Sequence, residues 1–345
     1  MKTLLCITVL LFWMRPVQAQ WLRQQSGTDA SFRAVSAVSA QVCWVGGSKG
    51  TILRTTNGGK TWEPKRIAGT ESLDFRDVHA FNAETSVAMS AGEASEGKAR
   101  MYRTTNGGQT WKLVFETIQK DVFLDGLDFW DEKNGLCFGD PIDGKFYVLT
   151  TADGGQTWQE VPRENFPPIL PGEAAFAASG TSLVTLKNSK LAWIGTGGSH
   201  HARVFRTEDR GRSWQVSQTP MPAGPSSGIF GLRFWSKKRG IAVGGDYKNE
   251  KDSTLNVLLT ADGGKTWRIG NALKPGGLKE STALAGKNLI AVGPSGTSFS
   301  TNSGATWRDL DASPFHAVSF ASNTGWAVGG KGLLAKFDPS FQRKK

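Results

Sequence analysis

Apolar residues in this chain come in short runs rich in Val, Ile, Leu and Phe, bounded by Gly, Asn and Asp, and no long stretch keeps a helical period. Residues 32–39, 42–46 and 51–55 are three such runs. A turn then follows, written Thr55-Thr56-Asn57-Gly58-Gly59-Lys60-Thr61-Trp62, and residues 61–67 return as a further strand. The turn recurs at 104–111, 151–158, 207–214, 260–267 and 300–307, always as Ser/Thr-x-Asp/Asn-x-Gly-x-Ser/Thr-Trp. An Asx side chain accepts backbone N–H bonds, a Gly takes positive φ, and the Trp anchors the return strand.

The six box Trp residues are spaced by 49, 47, 56, 53 and 40 positions. A repeat of this length overrides the two-domain expectation that length alone suggests, and four strands fit each unit. The expected fold class is all-β, a radial array whose units bury their faces against their neighbours. After the last box, residues 315–320, 325–329 and 333–337 match three strands of a unit that has no box. The missing outer strand stands at the other end of the chain, in Trp21-Leu22-Arg23-Gln24-Gln25. Pairing the two closes a seven-bladed β-propeller over 20–338 and leaves no open edge.

Residues 1–19 read as a secretory signal: Lys2, an apolar stretch over 4–13, and Val17-Gln18-Ala19 as the cleavage site. The stretch is too short to span a bilayer, so the expectation is an exported monomer, periplasmic or extracellular, with no transmembrane segment. Removing Lys2 and Arg15 with the leader takes the formal charge from +11 to +9, which favours acidic partners. The dense basic runs are Lys237-Lys238-Arg239 and Arg343-Lys344-Lys345 in the basic tail 339–345, and neither run is interleaved with aromatics. That pattern argues against nucleic acid. Cys43 and Cys137 fall on equivalent strands of non-adjacent units, so both are expected as buried free thiols.

The boxes resemble the Asp-box, or BNR, repeats of sialidase-type propellers. With the preceding strands Trp44-Val45-Gly46-Gly47 and Trp326-Ala327-Val328-Gly329-Gly330, the chain is most similar to the photosystem II stability/assembly factor group. The resemblance implies that the boxes lie on the face opposite the ligand mouth and that the protein binds a client without catalysis. It also implies an arginine-rich client patch, to which Arg33, Arg76 and Arg233 correspond, all three expected in similar places on inner strands. Such boxes occur on hydrolases, receptors and assembly factors alike, so function has to be read elsewhere.

The residues that follow each second strand are Gly47, Glu93, Asp140, His200 with His201, Asp246, Pro294 and Gly330. Units two to five therefore place ionisable groups at the mouth. A glycoside hydrolase would need a carboxylate pair, and Asp140, Asp246 and Glu93 are the candidates. Sialidase chemistry needs a Tyr nucleophile, for which Tyr247 is the one mouth candidate, and Phe32-Arg33-Ala34 lacks the proline of the sialidase element. His200-His201 matches no metal spacing, the boxes lack the further acids of a calcium loop, and no dinucleotide fingerprint opens a helix, so no cofactor is expected. The partner expected at the mouth is a protein client, with an anionic glycan as the alternative. The arginines form a positive funnel if they face the channel, unless Asp77 and Asp128 pair with them.

Overall fold

The computed structural model describes residues 20–338. The expected leader and the basic tail lie outside the described residues. Seven four-stranded antiparallel sheets follow one another around a central channel. Their inner strands are Phe32–Ala37, Asp74–Ala80, Leu124–Phe129, Leu183–Thr185, Ser227–Phe234, Ser281–Ala285 and Phe315–Ala321, and they number blades 1 to 7. The second strands are buried almost throughout, as in Cys43–Gly47 and Ser86–Ala91, because each is covered by a neighbouring blade on either face. Cys43 and Cys137 are both buried and free.

The blades meet in apolar seams, and each box Trp fills the seam between its own blade and the one before. Trp62 packs with Cys43, Val45 and Trp326, Trp111 with Trp44 and Tyr102, and Trp158 with Val87 and Phe129. Trp214, Trp267 and Trp307 do the same for the next three seams. Burying a large side chain this way stabilises by roughly 1.5–3 kcal/mol, so the seams are a principal source of cohesion.

The last seam shows how the ring closes. Trp21–Arg23 pairs antiparallel with Leu334–Phe337, with Trp21 opposite Phe337. Trp21 then sits in the seam of blades 6 and 7 against Phe315 and Phe337 and donates its indole N–H to Thr297 Oγ1 at 3.1 Å. It supplies from the N-terminus the anchor that a seventh box would have carried.

The boxes are self-contained turns. In the first, the Thr55 hydroxyl accepts the Gly59 N–H at 2.9 Å and Asn57 Oδ1 accepts the Thr61 N–H at 3.0 Å. The Ser/Thr-to-Gly bond recurs in all five later boxes at 2.8–3.0 Å. The Gly that donates it has φ between 77° and 84° in every copy, which explains why that position never varies. The preceding position also has positive φ but tolerates Arg210 and Ser303.

Outer strands are shorter than the sequence suggests. Blade 1 pairs only Glu63–Pro64 where 61–67 was expected, and the outer strands of blades 3 and 5 are equally brief at Gln159–Glu160 and Arg268–Ile269. Blade 3 departs in the other direction. The stretch 140–145, which follows the expected second strand, continues the sheet: that strand runs Gly135–Ile142 and turns tightly through Asp143 and Gly144, both at positive φ, into Lys145–Thr151. Among the described residues no helix is long and apolar enough to cross a membrane.

Candidate functional site

The inner strands carry a bulge near their first residues, where the register shifts around Arg33, Arg76, Asp125, Phe230 and His316 in blades 1, 2, 3, 5 and 7. A bulged residue leaves the ladder and is re-aimed, here toward the channel mouth. Glu280, immediately before the inner strand of blade 6, completes the series. All six line one cavity of about 420 Å³, together with Phe123, Asp140, Ala175–Ala178, Tyr247 and Glu250.

Arg233 does not belong to this ring. It pairs opposite Ile241, three residues beyond the bulge at Phe230, and lines a second cavity of about 430 Å³ lower in the channel. The expected equivalence with Arg33 and Arg76 is thus corrected: Phe230 takes their place in blade 5, and Arg233 matches Asp128 of blade 3. Comparing Leu127-Asp128-Phe129-Trp130 with Leu232-Arg233-Phe234-Trp235, each followed five residues later by a strand-opening Gly, would have revealed this.

What separates the two cavities is the connector between blades 3 and 4. Its proline-rich start is anchored by Glu173, whose fully buried carboxylate binds the Arg203 guanidinium and also accepts Thr196 Oγ1 at 2.7 Å and the Leu170 N–H at 2.9 Å. From there the chain crosses the channel. Arg33 donates to the Ala178 carbonyl at 3.1 Å, Arg76 to the Ala177 carbonyl at 3.3 Å, and Ser179 Oγ to the Glu280 carbonyl at 2.7 Å. Gly180 sits at φ +74°, where an added Cβ would come within 2.4 Å of Asp77 Oδ1. Phe176 stacks flat on Phe230 at 4.2 Å, and Tyr247, 46% exposed, meets the edge of Phe176 at 6.2 Å. The mouth is therefore a blind cup with an aromatic floor.

Its charge is mixed. Arg76 bonds Asp74 at 2.8 Å, and Arg33 lies 3.6 Å from Glu280, which also meets His316 Nδ1 at 2.6 Å. The acids expected to pair with the arginines, Asp77 and Asp128, instead accept backbone N–H groups lower in the channel. Asp125, Asp140, Glu250 and Glu280 line the cup beside the two arginines, so it is not a purely positive funnel. Burial raises Asp125 well above the usual carboxylate range, helped by the Asp140 charge. Asp140 is raised to about 6 by burial and by the Glu93 charge, against the Ala175 N–H that its Oδ1 accepts at 3.2 Å.

Of the other residues expected at the mouth, Glu93 is exposed at the start of a short helical turn beside Asp140, outside the cup. Asp246 ends its strand and uses Oδ1 to accept the Lys248 N–H at 2.8 Å, capping its own loop. The second acid that approaches Asp140 inside the cup is Asp125, which is only 1% exposed. His200 and His201 are exposed, and neither lines the cup. Asp125 and His316 were missed because each is a single polar residue at the start of a largely apolar strand, the pattern a bulge leaves in sequence, and Glu280 because it stands in the polar run Lys279-Glu280-Ser281-Thr282 just before its strand.

Residues 14–114 match the family model described as photosynthesis system II assembly factor YCF48. The chain is similar to that assembly-factor group. The solved structure of YCF48 bound to D1 peptide superposes with a TM-score of 0.66 at 17% identity, covering 92% of this chain and 96% of that one. YCF48 from Cyanidioschyzon merolae gives 0.67 at 16% identity, covering 93% and 100%. The WD40 propeller domain of Doa1 gives 0.63 at 12% identity, covering 93% and 98%, so at this distance structural likeness speaks to fold alone. No curated protein matches the chain in sequence.

Proposed function

We propose that this chain is a protein-binding module of the assembly-factor kind, which receives an extended segment of a client protein in the mouth cup and works after export from the cytoplasm. The observation that carries the reading is the plugged channel. Its floor presents Phe176, Phe230 and Tyr247 next to Arg33 and Arg76, the aromatic and arginine chemistry that dominates binding hot spots. A cup of about 420 Å³ takes a few side chains of a partner rather than a whole domain. The solved relative that holds a D1 peptide supports a protein client as the ligand class. Export is supported by the pattern of residues 1–19.

The test is affinity capture from the envelope fraction of the source cells with three proteins: wild type, Arg76→Ala with Tyr247→Ala, and Lys60→Ala on the box face. A client held by wild type and Lys60→Ala but lost from the mouth variant is the expected result. Equal capture by all three proteins would overturn the mouth assignment. Glycan turnover that disappears in Asp140→Asn would overturn the non-catalytic reading.

A further inference from the structure

The lower cavity holds a cation, Arg233, that has no hydrogen bond or close ion pair among the described residues and feels only the charge of Asp128. Arg233 lines it from blade 5, its Nε is buried with no hydrogen-bond acceptor, and among the described residues its guanidinium makes no ion pair. An arginine carries five N–H donors and stays charged, so leaving them unmatched away from bulk water is costly.

The nearby acids are already committed. Asp128 Oδ1 accepts the Phe129 N–H at 2.8 Å and meets His79 Nδ1 at 3.1 Å, while Oδ2 accepts the Thr185 N–H at 2.8 Å and its hydroxyl at 2.9 Å. Asp77 accepts the Val78 and Leu127 N–H groups at 2.8 and 2.7 Å, and burial raises it to about 8, which leaves it mostly uncharged at pH 7. Burial also lowers His79, which keeps that ring neutral. Lys187, on the same cavity, gives a bond to the Phe129 carbonyl at 3.0 Å and keeps its other N–H donors. Two cations thus face one ionised carboxylate. Ser36 and Ser319 lie at the same level of the channel and accept the Ala80 and Ala37 N–H groups at 3.1 and 3.0 Å, so their hydroxyl protons remain to donate.

We infer that this lower cavity is a binding site for a small oxyanion, a solute bearing a carboxylate or phosphate group, held by the Arg233 guanidinium with Lys187, Ser36 and Ser319 around it. The volume of about 430 Å³ suits a metabolite-sized ligand. Arginine's fork matches two oxygens of either group. The site lies below the plug and is independent of client binding at the mouth.

Calorimetric titration and thermal unfolding of the propeller with sodium phosphate, with sodium succinate, and with sodium chloride at matched ionic strength test it, and the first two arms separate phosphate from carboxylate. Saturable binding beyond the chloride effect in at least one arm is expected. Arg233→Gln is expected to weaken it about tenfold or more, and Arg76→Ala at the mouth to leave it unchanged. If Arg233→Gln does not fold, Lys187→Gln and Ser319→Ala are each expected to weaken binding several-fold, about the loss of one hydrogen bond. No saturable binding in wild type, or equal binding in the lower-cavity variants, would overturn the site; loss in Arg76→Ala alone would assign the anion to the mouth.

Discussion

The box aspartates at the rim and Asp77, Asp125 and Asp140 along the axis of this propeller titrate in opposite directions. At the boxes, burial would raise Asp153 and Asp262, but the Thr157 and Thr266 hydroxyl and N–H groups outweigh it and hold each at about 2. In the channel, burial wins at Asp140, taken to about 6, and at Asp77, taken to about 8, while Asp128 is held low against burial by its His79 hydrogen bond and the Lys187 charge. The rim repeats one solution six times because each of blades 1 to 6 needs the same turn. Along the axis each blade faces a different neighbour, so the positions diverge, and that is where a ligand can be read.

The contrast can be broken most severely at the two anchors. Glu173→Gln leaves Arg203 buried beside a neutral amide and is expected to cost about 3–5 kcal/mol in denaturant unfolding. Because the connector forms the floor of the cup, this variant should also weaken client binding. Trp307→Ala, which empties one seam at the rim, is expected to cost about 3 kcal/mol while leaving client affinity unchanged. Equal loss of binding in both variants would erase the distinction between axis and rim.

Stability against pH sharpens it further. Asp77 has a folded value above its ordinary one of 3.8, so the folded protein keeps a proton that the unfolded chain releases. Its contribution is complete below about 4 and is lost as pH rises toward about 8; Asp77→Asn should flatten that decline. Asp153 has a folded value below 3.8, so its contribution is complete above about 4 and is lost as pH falls toward about 2; Asp153→Asn should flatten the acid limb instead. Unfolding midpoints between pH 3 and 8 measure both. The smallest effect is expected at a box hydroxyl: Thr151→Val removes the acceptor of the Gly155 N–H and should cost about 1 kcal/mol, similar to Thr260→Val.

The rim was legible in the sequence because its chemistry is local: a Ser/Thr, an Asx and a Gly within five residues satisfy one another, and the following Trp always finds a seam. Closure by Trp21 was legible too, since a missing strand had to be supplied. The axis was less so. Phe-Arg at 32–33 and Leu-Arg at 232–233 look alike, yet the bulge in blade 5 falls at Phe230 and moves Arg233 three residues down the channel. The path of the connector depends on the Glu173–Arg203 pair, thirty residues apart, which no local pattern announces.

The central claim, that the cup binds a client and the boxes hold the fold, is tested most directly by site-specific photocrosslinking. A photoreactive phenylalanine analogue replaces either Tyr247, at the mouth, or Lys60, in a box, and crosslinks are collected in the source cells. One discrete client crosslinked through position 247 and none through position 60 is the expected result. A client crosslinked through position 60 and absent from position 247 would contradict it.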